Sequence, residues 1–292
     1  MNSVISFPVT AMFDLLKTAL LSAVFPKKCL VCGTFFHAES YHTESANKKG
    51  DKEITLSWPS LEEAIQGLMT PHICQDCISD FLPIQSPICK RCGMMFEAKG
   101  VEEHHCGHCI QFPKSYGIAR AVALYKGACM ELVHAYKYRG KVQLAQPLGM
   151  LLFYTFLRYF PEAGIHRIIP VPLHQKRLKQ RGFNQVYLLI RKWPEYLNQV
   201  NGFQFGKPEI EIGRDDLIRN RLTDPQTGLG RRQRVSNVSG VFSVRNPAAI
   251  AEKAILLVDD VYTTGATVDA CTKVLLKNGA GRIDVLTLAR AM

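Results

Sequence analysis

The chain has no run approaching the ~20 consecutive apolar residues of a membrane-spanning helix, so no membrane span is expected. Its greasiest stretch, Ala11–Phe25, is broken by Asp14 and Lys17. That stretch lacks a basic start and a small-residue cleavage site, which argues against a secretory leader. Phe13, Leu16, Leu20 and Val24 recur at spacings of three and four. The expectation over 1–28 is therefore a helix packed on the rest of the protein, with membrane contact as the alternative. An excess of acid is also missing: 36 Lys and Arg against 25 Asp and Glu leave a net charge of +11 over 292 residues. That balance favours polyanionic partners, nucleic acid or phosphorylated small molecules, and says nothing about fold. No G-x-x-x-x-G-K loop occurs, which excludes the Walker phosphate cradle. Nor is there a disordered composition: 47% apolar and 21% charged residues are globular values, and the length suits two domains.

Cysteine, by contrast, is abundant and patterned. Eight of the ten cysteines form four C-x-x-C pairs: Cys29/Cys32, Cys74/Cys77, Cys89/Cys92 and Cys106/Cys109. Two cysteines three apart point into one tight turn and supply half of a tetrahedral zinc site. Disulfides would need an export route, and a redox C-x-x-C would stand once beside a βαβ unit. Two structural Zn²⁺ ions are therefore expected. Sequential pairing of the knuckles is favoured over a cross-braced arrangement. Gly33 and Gly93 follow their knuckles, where the turn needs a positive φ. His104, His105 and His108 flank Cys106, but four thiolates already satisfy the metal, so they are read as solvated. Cys129 and Cys271 stand alone and are expected in the core. The module spans 29–112. Its insert 37–70 begins as a polar, partly disordered excursion and ends in a short helix over Trp58–Met69.

The most informative stretch is AILLVDDVYTTGAT, Ala254–Thr267. Ile255–Val258 reads as a buried strand of a parallel sheet. Asp259 and Asp260 follow at its carboxyl end. Then come Thr263, Thr264, Gly265, Ala266 and Thr267, opening a helix that Gly279 stops. Ligands bind at the carboxyl ends of parallel strands. A Thr/Gly loop opening a helix offers N–H groups, hydroxyls and the positive end of the helix dipole to a phosphate. Two aspartates would repel that phosphate, so they face hydroxyls of a ribose or a Mg²⁺ ion. A phosphorylated ribose is the implied ligand.

Two basic segments accompany it. Strand RIIPVP (Arg167–Pro172) runs into Lys176, Arg177, Lys179 and Arg181. Arg219, Arg221, Arg231, Arg232 and Arg234 bracket Thr223–Gly228, whose turn residues suggest a flexible loop. Over 167–234 there are 14 Lys and Arg against 6 Asp and Glu. Much of the positive charge thus lies where the site opens.

The Asp259–Thr267 stretch resembles the phosphoribosyl-pyrophosphate (PRPP) motif of type I phosphoribosyltransferases. Further segments are similar to the signature of the ComF/GntX competence-protein family. They are Pro170–His174 with Arg177, Arg181 and Gly182–Gln185; Lys137–Gly140; and Arg221–Thr223 with Gln226–Leu229, Arg234 and Asn237. The resemblance covers nearly the whole chain outside the first residues and the 37–70 insert. It implies an α/β, type I phosphoribosyltransferase-like domain over 113–292 with a central, mostly parallel sheet, preceded by the zinc-ribbon module. It implies PRPP, with Mg²⁺, on Asp259, Asp260 and Thr263–Thr267, and pyrophosphate held by Arg177 and Arg181 after their strand, with His174 as a further donor or a buried structural residue. A mobile loop bearing Arg219–Arg234 would close over PRPP. The family's association with natural transformation implies a cytoplasmic protein whose partners are single-stranded DNA and other competence proteins. Tyr116, Tyr125, Tyr136 and Tyr138 are then candidates for base stacking, with core packing the plainer role for each. The alternative is an active phosphoribosyltransferase acting on an unidentified acceptor. Strands are expected near 118–125, 167–171, 241–244, 254–258 and 283–288, and helices near 128–138, 144–159, 184–193 and 265–278.

Overall fold

Short branched-apolar runs become the strands of one buried sheet. A computed structural model of the chain describes residues 26–37, 58–98, 100, 102–161, 164–200, 210–222 and 240–292. Of the helix expected over 1–28, residues 1–25 lie outside the described residues and Lys27–Lys28 form a strand instead; the loop 223–239 and 38–57 of the insert also lie outside the described residues.

In chain order, a hairpin of β1 (Lys27–Lys28) and β2 (Phe35–Phe36) is followed by α1 (Leu61–Met69), α2 (Gln75–Ser79) and α3 (Gly107–Gln111). Then come β3 (Ala119–Leu124), α4 (Gly127–Tyr138), α5 (Ala145–Tyr159), β4 (Arg167–Pro170), α6 (Gln175–Arg181), α7 (Gln185–Ile190) and α8 (Trp193–Gln199). The chain closes with β5 (Glu211–Ile212), β6 (Leu217–Arg219), β7 (Phe242–Val244), β8 (Ala254–Tyr262), α9 (Ala266–Lys277) and β9 (Arg282–Arg290).

The sheet has five strands in the order β3-β9-β8-β4-β5. Every adjacent pair is parallel. Parallel strands need crossovers, which bury both faces and explain the unbroken apolar run Ile255–Val258. Side chains alternate between the faces. Leu256 and Val258 join Leu132, Leu148, Phe156 and Trp193 of the α4, α5 and α8 layer. Ile255 and Leu257 join Val268, Cys271 and Leu275 of α9. Cys129 and Cys271 are both buried, as their isolation suggests. Helix α1, capped by Ser60 accepting from Glu63 N, buries Leu61, Ala64, Ile65 and Met69, so the end of the insert is a folded part of the core.

Three details differ from the expectations. The strand near 241–244 exists as β7 but pairs antiparallel with β6, outside the central sheet. The fifth central strand is instead the two-residue β5. The helix expected over 184–193 is two helices, α7 and α8, the second opening on Pro194, which cannot donate to a preceding turn. Strand β8 runs on to Tyr262 because β9 pairs with it as far as Arg290, so Asp259 and Asp260 lie within the strand rather than after it. Among the described residues no helix is long and apolar enough to cross a membrane.

The ribbon module is built onto the sheet edge. Ile84 N donates to Val122 O (2.9 Å) and Leu124 N to Leu82 O (2.9 Å), so Leu82–Ile84 lines up against β3. The two cysteine groups straddle the sheet: Cys29 and Cys77 pack in the α4–α5 core, and Cys89, Cys92, Cys106 and Cys109 in the α9 core.

Candidate functional site

The cysteines converge in two groups of four, Cys29/Cys32/Cys74/Cys77 and Cys89/Cys92/Cys106/Cys109, each with all sulfurs within 4.8 Å of one another. The pairing is sequential, not cross-braced. Cys32 Sγ lies 3.7 Å from Cys74 Sγ, and Cys92 Sγ 3.7 Å from Cys106 Sγ. A tetrahedron with Zn–S bonds of about 2.3 Å has edges of about 3.8 Å, so the donor set fits zinc. Gly33 and Gly93 adopt φ of +78° and +67° behind their knuckles. Backbone N–H groups of Cys92 and Cys106 point at Cys89 Sγ (3.5 and 3.3 Å). Burial pushes the Cys89 thiol up, but these donors and Arg91 N–H outweigh it and hold it at about 7, suited to a thiolate ligand. Burial pushes Cys77 and Cys109 up, the cost that a divalent cation would relieve. His104 stacks on Phe96 at the surface with ring centroids 4.3 Å apart and belongs to neither tetrad.

At the carboxyl end of β8 the two aspartates face opposite sides of the sheet, as adjacent strand residues must. Asp260 turns toward α4 and α7. Its Oδ1 pairs with Lys137 Nζ at 2.7 Å and its Oδ2 accepts from Gln185 Nε2 at 2.7 Å. Burial opposes both charges, but the pairing wins: Asp260 is held below its ordinary value and Lys137 above its own. Asp259 turns toward α9 and is half-buried. Burial, and then the neighbouring Asp260 charge, push it up to about 7. The roles of Lys137 and Gln185 were not read from the sequence, although strand alternation already sets the two aspartates on opposite faces of the sheet.

Beyond β8, Thr263 and Thr264 are half-buried, and Gly265 caps α9 with φ +75°. A Cβ there would collide with the Tyr262 hydroxyl, so only glycine fits. Ala266 and Thr267 begin α9, and Ala266 N points at Thr264 Oγ1 (3.4 Å). Asp269 accepts from Ser115 N at 2.8 Å, and Lys114 Nζ donates to Thr264 O at 3.2 Å. Tyr116 Oη and Tyr262 Oη are 2.6 Å apart. The segment leaving the second tetrad thus holds the Thr/Gly loop at Thr264 and the elements on either side of it at Tyr262 and Asp269.

The basic residues divide. Arg177 and Arg181 sit on α6, half-buried, after a turn whose His174 Nδ1 accepts from Lys176 N (3.2 Å). His174 is therefore a helix cap. Arg219 lies over the Phe242 ring (5.4 Å) and feels both Arg177 and Asp259; burial, then Arg177, pull it down. Arg181 covers the Tyr138 ring at 5.1 Å and feels Asp260. Arg221 is exposed, and Arg231, Arg232 and Arg234 lie outside the described residues. Of the four tyrosines, Tyr116 and Tyr136 are buried, and Tyr125 is bonded to His134 (2.8 Å). Tyr138 is 70% exposed, with Arg181 over its ring and His134 against its edge.

Comparisons with known proteins follow this geometry. Residues 67–110 match the double zinc ribbon domain family. The DNA utilization protein YhgH of Escherichia coli K12 is 30% identical over 224 residues, 75% of this chain and 91% of its own length. The chain belongs to the ComF/GntX family. Within that family, competence protein F of Haemophilus influenzae is 30% identical, with 75% of this chain and 89% of its own covered. Competence protein ComFC of Streptococcus pneumoniae is 28% identical, with 75% and 87% covered. The ComF/GntX signature segments that the sequence scatters, Lys137–Gly140 and Gly182–Gln185, meet at Asp260 through Lys137 and Gln185.

Proposed function

We propose that this protein binds PRPP and handles single-stranded DNA in the cytoplasm during natural competence. The observation that carries the reading is the grouping of Asp259, Arg219 and Arg177 beside the Thr263–Thr267 loop, at the carboxyl ends of β8 and β4. The loop's N–H groups and hydroxyls, at the start of α9, suit the 5′-phosphate. Asp259 suits the ribose hydroxyls, which donate to it. Asp260, already engaged by Lys137 and Gln185, fixes the strand end rather than reaching the sugar first. Arg177 and Arg181 suit the pyrophosphate as bidentate donors, with Mg²⁺ sharing its charge. A ligand cation or hydroxyl beside Asp259 would offset the burial and Asp260 repulsion that now push it up.

The DNA part of the reading rests on the relatives' names and on exposed Tyr138, with Arg181 and Arg139 beside it. An aromatic face with cations suits base stacking and backbone neutralisation. Calorimetry with PRPP and Mg²⁺, repeated with an oligothymidylate present, tests both parts. A PRPP affinity about tenfold to a hundredfold weaker in Asp259→Asn is expected, at about 1.5–3 kcal/mol per charge-assisted bond. No PRPP binding by the wild type overturns the ligand assignment, and no oligonucleotide binding overturns the DNA role.

A further inference from the structure

At the amino ends of β3 and β9, on the order of 15 Å along the sheet from Asp259, lies an open cleft of about 800 Å³. Its cations come from three parts of the chain: the Lys90–Arg91 knuckle tip, the end of α5 at Arg158, and the start of β9 at Arg282. Among the described lining residues, four cations, Lys90, Arg91, Arg158 and Arg282, stand against one carboxylate, Asp284. That carboxylate is buried and spent: it accepts from Ile118 N (2.9 Å) and pairs with Arg282 Nη2 (2.9 Å). Glu62, within reach of Arg158, is engaged by Gln85. Arg91 Nη1 is fixed on Tyr116 O at 2.6 Å, which holds its guanidinium in place. Close behind, Arg120 lies over the Tyr159 ring (5.4 Å) and leaves its buried Nε without a partner.

The structure assigns this cleft to a nucleoside phosphate, free or as a unit of a single strand. Asp284 is taken by Arg282, so Lys90, Arg91 and Arg158 have no other carboxylate among the lining residues, and an anion there would offset their charge. Guanidinium forks match phosphate oxygens. The volume is that of a nucleotide-sized ligand rather than of a lone inorganic ion, and Tyr159 offers an apolar wall. The site is separate from the Asp259 loop and does not depend on PRPP binding there.

The probes are fluorescein-labelled oligothymidylate, read by anisotropy across a salt series, and thymidine 5′-monophosphate, read by calorimetry. Lys90→Ala with Arg158→Ala removes two exposed cations. The expected result is at least a tenfold loss of affinity. For the oligonucleotide, the salt slope should flatten by about 1.4, from roughly 0.7 per phosphate on single strands. Loss for both probes identifies a free-nucleotide site; loss for the oligonucleotide alone identifies a strand site. PRPP affinity should stay at the wild-type value, which separates failure here from failure of the Asp259 reading. If the double variant loses zinc, Arg158→Glu, on α5 and outside both zinc knuckles, decides alone. Unchanged affinity in a folded, zinc-loaded variant, or no binding of either probe by the wild type, overturns the assignment.

Discussion

Arg290 donates from Nη1 to the carbonyl of Cys92 (2.7 Å) and from Nη2 toward its sulfur (3.3 Å), tying the last strand to a metal knuckle. The same buried guanidinium lies 4.3 Å over the ring of Tyr262, whose hydroxyl meets that of Tyr116 and underlies Gly265. The second tetrad is therefore a buttress of the Thr/Gly loop. Arg290→Met keeps the volume and deletes the charge-assisted bonds, each worth about 1.5–3 kcal/mol. The expected outcome is a drop of on the order of 3 kcal/mol in urea denaturation, with faster release of one zinc equivalent to a chelator. A variant with wild-type stability and zinc retention sinks the buttress.

Both tetrads are expected to hold zinc in the purified protein. Structural zinc supplies about 10 kcal/mol or more of folding free energy per site in small ribbons. Here the ribbon is stitched to β3, so stripping it should also unfold the sheet edge. Elemental analysis is expected to give two equivalents per chain. One equivalent or none in freshly prepared protein refutes the two-site assignment.

The two aspartates should respond differently to amidation. Asp260→Asn leaves Lys137 buried with no carboxylate, a loss of about 3–5 kcal/mol for a broken buried pair. Asp259→Asn removes hydrogen-bond acceptors from the ligand and should weaken PRPP about tenfold to a hundredfold, at about 1.5–3 kcal/mol per charge-assisted bond. Thermal unfolding and calorimetry on both single variants separate the roles. Equal effects of the two on stability contradict the opposite facing of the side chains.

Proton linkage gives an independent check. Asp259 is raised to about 7 in the folded chain, so its neutral form favours folding below its unfolded value near 4. That contribution disappears as pH climbs from about 4 to 7, and above 7 the buried charge is a standing penalty. Asp260 is lowered, so its contribution is present above about 4 and is lost on acidification through its folded value. Asp259→Asn should therefore gain stability over the wild type at pH 8, on the order of 1–3 kcal/mol, and little at pH 4. A wild-type minus variant difference that is flat with pH contradicts the elevated carboxyl.

Much of this arrangement was legible because it is local. The branched run Ile255–Val258, the Thr/Gly loop and the cysteine spacing each carry their structure within a few residues. Helix α5 shows its apolar face over fifteen residues. Strands β5 and β6 were not legible: they are two and three residues long inside EIGRDDLIRN, where charge hides any alternation. The partners Lys137 and Gln185 of Asp260, and Arg290 beneath Cys92, are brought together only by the crossovers of the parallel sheet. Tyrosines suggested for stacking were mostly core residues, since a buried tyrosine needs only one partner for its hydroxyl, as Tyr136 finds in Gln185 O at 2.7 Å.

The last prediction concerns Arg231, Arg232 and Arg234, which lie outside the described residues but follow β6, whose Arg219 faces the Asp259 side. In the proposed role they neutralise DNA phosphates, an interaction indifferent to sequence and weakened by salt. Replacing all three by Ala should weaken binding to single-stranded DNA of any sequence. The salt slope should flatten by about two units, from roughly 0.7 per neutralised phosphate. PRPP affinity should fall less, because its contacts are assigned to Asp259, the Thr263–Thr267 loop, Arg177 and Arg181. Tyr138→Ala should act differently, lowering affinity by about 1–3 kcal/mol per stacked base with the slope intact. Anisotropy of a labelled oligonucleotide across a salt series reads both effects at once. If the triple variant keeps the wild-type slope and affinity, those arginines do not touch DNA, and the strand must be held elsewhere, with the Lys90–Arg158 cleft the first place to look.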